Sequence, residues 1–334
     1  MTMPMGELEI DRPTAPESNM TITPDHTIHR SRRHYGWNNA FPPALTVEPG
    51  STVTIDVPDA SGGQFSTESH AGSIAALDFS TVNPVTGPIY VDGAEPGDAL
   101  KITLLHCELA DWGWTAIMPG FGLLADDFPD PALHIWRFSP EIGAMAEYGP
   151  GGRVPIRPFP GTIGLAPADP GLHEVICPRR VGGNMDTRDI TVGTVLYLPV
   201  EVEGALLSVG DGHVAQGDGE VCGTALESPM LLTVRLDLVP GGAPPFPRFT
   251  THGPVTRHID SDGYEVTTGV GPDLMVSARA AVSAMIDLIC DQRGMGAPDA
   301  YMLCSVCADL RISEIVDVPN WIVTCHFPRS VFAG

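Results

Sequence analysis

The chain has 334 residues, of which 43% are hydrophobic and 18% are charged, a balance typical of an ordinary globular protein of one large or two smaller domains. Its 18 Lys and Arg residues against 41 Asp and Glu residues give a net charge of −23, which repels phosphate backbones and anionic lipid. The composition therefore argues against nucleic acid and membranes as partners.

The N-terminal segment predicts neither a secretory signal nor a membrane anchor. It carries Glu7, Glu9 and Asp11 where a signal would place Lys or Arg and an apolar stretch. No uncharged apolar run in the chain approaches the ~18 residues that a membrane-spanning helix needs. Seven irregularly spaced cysteines indicate free thiols in a reducing compartment. We expect a cytoplasmic protein whose residues 1–25 form a mobile arm.

Short β-like segments separated by turns predict that the protein is mainly β. Strands are expected at Leu45–Val47, Thr52–Val57 and residues 100–105, and the 37 glycines and 33 prolines imply many turns between them. Apolar residues alternate in Thr52–Val57, which is the mark of a half-buried strand. These features predict a β-sandwich or jelly-roll-like first domain over residues 26–165.

Prolines become dense between residues 126 and 170, where they would break any regular element. This segment is predicted to be a long excursion that covers a site. The next β region is expected over residues 194–202, 205–209 and 231–238, the last two buried on both faces.

Two helices are predicted near the C-terminus. The first begins near Asp273 with apolar residues at helical spacing and ends at Gly294, and the second runs from Pro298 to about Leu310. Residues 166–334 are therefore predicted to form a β-rich α+β domain with two C-terminal helices.

The strongest functional signal is a group of ionisable residues among glycines, and these glycines predict a loop over residues 210–220. The sequence GGNMD at residues 182–186 ends in Asp186, and residues 210–220 carry Asp211, His213, Asp218 and Glu220. In extended backbone, residues two apart point to one side, so both pairs of the second segment can face one point. Turn capping alone requires fewer ionisable groups than this.

We interpret this group as a metal site. Carboxylate and imidazole ligands suit Zn²⁺ or a similar divalent ion, and a catalytic ion needs about three protein ligands. We assign Asp186, Asp211 and His213 as ligands and Glu220 as the general base, with Asp218 as a second catalytic carboxylate. The division of roles among the five stays open, as do the identity and number of ions.

Two other interpretations remain. Cys222, two residues after Glu220, could be the nucleophile of a thiol-dependent enzyme and contact the substrate, or it could be a small buried residue in the strand after the loop. The protein could also be a non-catalytic metal-binding protein of the same fold.

Several segments carry a family resemblance over nearly the whole chain, from about Gly36 to Phe327. They are residues 83–88, 93–98, 119–122, 182–186, 197–200, 204–206 and 210–220. In these segments the chain resembles the acetamidase/formamidase family of amide hydrolases. The resemblance implies hydrolysis of a small linear amide, such as formamide or acetamide, to carboxylate and ammonia.

The expected partner is therefore a small amide. Asn83 and Asn184 are predicted to contact it, since a carboxamide can hold an amide by its carbonyl or NH₂ group. The N-terminal arm, the many strand edges and the acidic surface predict a homodimer or a larger assembly.

Overall fold

The structure is a computed structural model that describes residues 22–149, 151–251 and 262–332. Most of the predicted arm, residues 1–21, lies outside the described residues. Residues 22–25 are described, and the backbone N–H of Asp25 donates to the carbonyl of Thr52 over 2.8 Å. Within the described ranges no helix is long and apolar enough to cross a membrane.

The described part of the chain is mainly β, which confirms the predicted fold class. Its first ten strands are β1 His26–Ile28, β2 Arg33–His34, β3 Leu45–Val47, β4 Thr52–Val57, β5 Val85–Val91, β6 Ala99–Leu109, β7 Trp112–Ile117, β8 Ala132–Arg137, β9 Met145–Tyr148 and β10 Gly152–Pro155. The remaining strands are β11 Phe159–Gly164, β12 Gly182–Asn184, β13 Val195–Pro199, β14 Leu207–Ala215, β15 Leu226–Glu227, β16 Met230–Val239, β17 Arg248–Thr250, β18 Tyr264–Gly271, β19 Asp309–Glu314 and β20 Trp321–Pro328.

Both predicted C-terminal helices are present. Helix α1 is Leu274–Arg293, begun by the Asp273 side chain, which accepts from the Val276 N–H, and ended by Gly294 in the left-handed region. Helix α2 is Ala297–Cys307 and ends about three residues earlier than predicted, because the chain becomes extended at Ala308 and enters β19. The short 3₁₀ helices are Arg30–Arg32, Ala71–Ala76, Phe79–Thr81 and Arg329–Phe332.

The strands form two large sheets and two small ones. The six-stranded sheet has the order β1-β4-β16-β6-β13-β17. The nine-stranded sheet runs β12-β11-β14-β15-β7-β8, with β5 joining β14 to β2 and β3. Strands β9 and β10 form a hairpin, and β18-β20-β19 form a sheet covered by α1.

One continuous apolar core joins the two large sheets. It includes Ile55 and Ile102 from the six-stranded sheet and Ile89, Ile163 and Val209 from the nine-stranded sheet, all fully buried. The molecule is therefore built around a β-sandwich, with one inner face on each sheet. Both sheets contain strands from before and after residue 165. The predicted division of the chain into two domains at that residue stays a prediction.

Two local predictions are wrong. Residues 126–170 do not form an excursion without regular structure but contain β8 to β11. Pro155 ends β10 and Pro160 lies inside β11, so these prolines are accommodated within strands. The strand predicted at residues 205–209 begins at Leu207, because Ala205 and Leu206 have positive φ angles of 60° and 57° and form a turn.

Candidate active site

Strand β14 places Asp211 and His213 in the middle of the nine-stranded sheet. Residues 210–215, predicted to be loop, belong to this strand, and both side chains are buried. The glycines serve close packing: a Cβ at Gly210 would lie 2.3 Å from the carbonyl oxygen of Pro84, and one at Gly212 would lie 2.2 Å from that of Ser228. The two-residue spacing brings Asp211 and His213 together as predicted.

Asp186, which follows strand β12, lies beside Asp211 and His213. Asp186 follows the strand at φ 44°, and its N–H donates to the carbonyl of Gly161 in β11 over 3.1 Å. A Cβ at Gly161 would lie 2.7 Å from each of Asp186 Oδ1, Asp211 Oδ2 and His213 Cε1. The glycine therefore leaves open the space on which these three side chains converge.

Glu227 is a member of the cluster that the sequence analysis missed. It lies in β15, directly opposite His213 in the antiparallel register, and is buried. Its neighbours Leu226 and Ser228 include no glycine or second ionisable residue that would mark it. A carboxylate inside an otherwise apolar strand was the available signal, because such a group is buried only with a partner.

His213 is the centre of the cluster. Its Nε2 atom lies 3.2 Å from Glu227 Oε1, 3.3 Å from Asp211 Oδ1 and 3.9 Å from Glu220 Oε1. Two sets of potential ligands share this imidazole, each with its ligand atoms within 4.8 Å of one another. They are Asp211, His213 and Glu227, which are all buried, and Asp186, His213 and Glu220, in which the two carboxylates are partly open.

Four buried atoms of the cluster lack a hydrogen bond of good geometry to any described residue. They are Asp186 Oδ1, Asp211 Oδ1, His213 Nε2 and Glu227 Oε2. Unpaired buried groups of this kind are costly, and four within one cluster call for an ion or shared protons. The donor set of hard oxygens and one imidazole nitrogen fits a divalent cation.

The protonation of the cluster reflects mutual repulsion in a buried space. Burial raises the pKa of Asp186 to about 8 and that of Glu227 to about 7, and it raises the pKa of Glu220 well above its usual range. For His213, burial lowers the pKa, but Glu227 and Asp211 outweigh it, so the pKa is raised. A cation would replace the protons that these groups otherwise hold.

Three amide side chains form hydrogen bonds at the cluster. Gln216 Oε1 lies 2.9 Å from His213 Nδ1, and its Nε2 donates to the carbonyl of Asp186 over 2.7 Å. Asn184 Nδ2 donates to Asp186 Oδ2 over 3.0 Å, and Asn83 Nδ2 donates to Asn184 Oδ1 over 3.4 Å. The two asparagines predicted to contact substrate thus form a chain that leads into the cluster.

Backbone strain is concentrated at the same residues. Among the described non-glycine residues, six have positive φ, and Asn83, Asp186, Asp211 and Glu220 are four of them. Such conformations cost of order 1–3 kcal/mol each and persist at functional sites, where the surrounding structure holds them.

The structure separates Asp218 from the cluster. The turn through Gly219 at φ 110° and Glu220 at φ 43° points Glu220 to His213 and Asp218 away from it. The Asp218 carboxylate lies 3.3 Å from Arg188 Nε and is 51% exposed. The predicted pairing of Asp218 with Glu220 assumed extended backbone, which this turn replaces.

Cys222 is also apart from the reacting centre. It is fully buried, and its Sγ lies 3.4 Å from the carbonyl oxygen of Ala116. Burial raises the pKa of the thiol to about 11, so the thiolate is scarce at neutral pH. The next residues, Gly223 and Thr224, line the pocket instead. This position agrees with the small buried residue that was the second interpretation of Cys222.

A pocket of about 660 Å³ opens beside the cluster. Asp186, Asp211, Glu220 and Glu227 line its base, and Asn83 and Asn184 reach it from one side. A small molecule in this pocket would contact carboxylates, amides and the predicted metal site together. This is the usual arrangement of a few convergent polar groups in a largely apolar cavity.

Fold and site together define a mainly β protein with a buried carboxylate and imidazole centre at the base of a pocket, as in hydrolases that use a divalent ion. The chain belongs to the acetamidase/formamidase family, whose sequence profile matches residues 21–175 and 170–334. This match confirms the predicted family and the prediction of an amide hydrolase.

The individual relatives agree with this assignment. The chain is 30% identical over 293 residues to the acetamidase of Mycolicibacterium smegmatis, covering 69% of this chain and 70% of the relative. It is 26% identical over 367 residues to the formamidase of Methylophilus methylotrophus, covering 90% and 89%. The solved γ-lactamase from Delftia acidovorans has a TM-score of 0.85 and 26% identity, covering 92% of this chain and 94% of that one.

Proposed function

We propose that the protein hydrolyses a small linear amide, of the formamide or acetamide type, to a carboxylate and ammonia. The observation that carries this proposal is a cluster of five ionisable side chains beside a pocket, in which four buried atoms lack a hydrogen-bond partner among the described residues. Membership of an amide hydrolase family supports it. The acetamidase and formamidase relatives suggest the size of the substrate.

The cofactor in this proposal is one Zn²⁺ ion. His213, Asp211 and Glu227 form the fully buried set and would hold it, while Asp186 and Glu220 remain on the pocket side. Compared with the ligands predicted from the sequence, Glu227 joins the set and Asp186 moves to the neighbouring set. When bound, the ion would polarise the amide carbonyl and make a water molecule more acidic.

The remaining residues bind the substrate and move protons. Asn83 and Asn184 line the pocket and can orient the amide by hydrogen bonds. Glu220, with its raised pKa, can take a proton from the attacking water and transfer it to the leaving nitrogen. The new bond joins the water oxygen to the carbonyl carbon, and the bond that breaks is carbon to nitrogen.

The decisive experiment measures ammonia release from formamide and acetamide. We expect turnover that a chelator abolishes, that added Zn²⁺ restores and that a thiol alkylating agent leaves unchanged. Inhibition by alkylation alone would favour the Cys222 mechanism. Metal binding without release of ammonia from any amide would favour the non-catalytic metal-binding protein.

A cyclic amide is the second substrate candidate. The observation in its favour is the TM-score of 0.85 to a γ-lactamase, which exceeds the 0.64 to the acetamidase from Bacillus halodurans at similar coverage. A simple lactam such as 2-pyrrolidinone therefore belongs in the same substrate panel, with its ring opening followed as formation of the amino acid product, because the nitrogen stays attached and no ammonia is released. Faster opening of the lactam than of any linear amide would replace the first proposal with this one.

We also propose a homodimer or larger assembly. Strand β19 lies at the edge of a sheet, and Ile312, Val316 and Val318 on this strand and the following turn are exposed. An exposed edge with apolar residues is a surface that proteins cover. Light scattering at micromolar concentration tests this, and a monomer mass would contradict it.

The cytoplasm is the location we propose. All seven cysteines are free thiols, which suits a reducing compartment. Cell fractionation tests this, and recovery outside the cytoplasm would contradict it.

A further inference from the structure

The pocket extends well beyond the space that a small polar amide fills. A water molecule takes up about 30 Å³ in the liquid, so the four heavy atoms of acetamide need roughly 100 Å³ by the same measure. The pocket measures about 660 Å³, within the range of cavities that enclose much larger ligands. The pocket therefore has room for substrate contacts beyond those that the cluster offers.

Much of the wall of this pocket is apolar. Its lining includes Leu77, Phe79, Trp114, Met118, Phe121 and Ile176. Formamide has no apolar carbon chain and acetamide has one methyl group, so neither gains from this wall. A longer apolar acyl group would remove its own surface and that of the wall from water.

Trp114 joins the apolar wall to the cluster. It pairs with Glu227 in the register between β7 and β15, so the wall begins beside a proposed ligand. Its Nε1 donates to Asp59 Oδ1 over 3.0 Å, and Phe65 packs edge-on against it with ring centroids 4.9 Å apart. The indole is therefore fixed, and a group attached to the reacting carbonyl would meet a preformed surface.

Phe121 is a second aromatic residue of the apolar wall, and its ring packs where Gly223 has no side chain. Gly223 has a φ of +88°, and a Cβ there would lie 2.5 Å from Cδ1 of the Phe121 ring. The Phe121 N–H donates to the carbonyl of Met118 over 3.0 Å, which closes a turn beneath the ring. Phe121 nevertheless remains 48% exposed. The ring is held at the pocket with a free surface facing a ligand.

We propose that the preferred substrates are carboxamides whose acyl carbon carries an apolar group, from a three-carbon chain up to a phenyl ring. This inference rests on the proposed amide hydrolysis and adds the specificity of the same site. The reacting amide lies at the carboxylates and asparagines, and the apolar acyl group lies against Trp114 and Phe121. The products are ammonia and an apolar carboxylate.

The test is kcat/KM for formamide, acetamide, propionamide, butyramide and benzamide with the metal-loaded protein. We expect kcat/KM to rise about fourfold with each added methylene from acetamide to butyramide, chiefly through a lower KM. A kcat/KM that falls with chain length, with formamide or acetamide best, overturns the inference but leaves the proposed function intact. Failure to hydrolyse any amide overturns the proposed function itself.

The Phe121→Ala variant tests the wall directly. We expect kcat/KM for butyramide to fall about tenfold and that for acetamide to change less than twofold. Phe246→Ala is the matched control, because Phe246 is 66% exposed and is not part of the pocket lining. Equal losses for both amides in Phe121→Ala would contradict the inference. If that variant does not fold, Phe121→Leu must show the same selective effect in smaller measure.

Discussion

The side chain of Gln216 holds the imidazole of His213 from behind, with 2.9 Å between Gln216 Oε1 and His213 Nδ1. Because an amide oxygen only accepts, the proton of the imidazole is placed on Nδ1 and Nε2 is left to face the carboxylates. The same glutamine donates to the carbonyl of Asp186, so it couples two members of the cluster. Partners of this kind fix the orientation of a metal-binding histidine.

We therefore predict that Gln216→Ala weakens Zn²⁺ binding by about 10- to 100-fold. Gln216→Glu, which retains an acceptor for Nδ1, is expected to lose less. Competition with a zinc indicator dye measures both affinities without reference to turnover. Wild-type affinity in Gln216→Ala would show that this hydrogen bond does not orient a ligand.

Glu220 and Asp218 form a matched pair for testing the general base. Glu220→Gln retains the size of the side chain but cannot accept a proton at neutral pH, so kcat should fall by about 10²–10⁴ while folding and metal content are retained. Asp218→Asn should change kcat less than threefold, because its carboxylate points to Arg188. Steady-state kinetics with metal analysis decides this, and the reverse order would restore Asp218 as the catalytic carboxylate.

The buried ion pair of Arg188 with Asp309 ties the site to the C-terminal part of the chain. Asp309 is fully buried and also accepts from the backbone N–H of Asp218, while Arg188 lies two residues after Asp186. Arg188→Met removes the buried partner of Asp309 and leaves the partly exposed Arg311, 3.3 Å from the same carboxylate, so the free energy of unfolding should fall by about 3 kcal/mol, the lower end of the usual cost of breaking a buried pair.

A surface pair provides the control for this substitution. Arg235 and Asp237 lie 3.2 Å apart with partly exposed side chains, and Arg235→Met should cost no more than ~1 kcal/mol. The double variant Arg188→Met/Asp309→Leu should recover much of the loss. Urea unfolding measures all three, and a small effect of Arg188→Met alone would contradict the account.

Some parts of the fold and of the site could be predicted from the sequence, and others could not. Helix α1 was predictable because its limits are local: an Asp273 cap at one end and Gly294 at the other. Strands β3 and β4 have the predicted bounds. Glu227 was missed because its role comes from the pairing of β15 with β14, a contact that no short-range pattern records.

The glycines were the second source of error. The glycines in residues 210–215 predict a loop, whereas Gly210 and Gly212 allow neighbouring backbone to approach a strand. Gly219, in contrast, does form a turn, and this turn separates Asp218 from Glu220. Glycine content alone does not distinguish the two uses, because each depends on what packs against the position.

Removal of the ion should make stability depend on pH. Burial raises the folded-state pKa of Asp186 to about 8 and that of Glu227 to about 7, above the ~4 of unfolded carboxyls. The folded protein then binds more protons than the unfolded chain between about pH 4 and pH 8, so its free energy of unfolding falls as pH rises through that window. The raised pKa of His213 acts in the same direction.

Urea unfolding in the presence of a chelator at pH 5 and pH 8 measures this effect. Lower stability at pH 8 is expected, and Asp186→Asn with Glu227→Gln should flatten the dependence. Saturating Zn²⁺ should restore stability at pH 8, because the cation replaces the protons. Stability of the chelated protein that rises with pH would contradict the assigned cluster.

The central claim is a divalent ion at His213, Asp211 and Glu227, and elemental analysis of the purified protein tests it most directly. We expect about one ion per chain in the wild type, loss of the ion in Glu227→Gln, and retention in Asp186→Asn with activity reduced. Loss in Asp186→Asn with retention in Glu227→Gln would move the ion to the neighbouring set with Glu220. An active wild-type protein without stoichiometric metal would contradict the account.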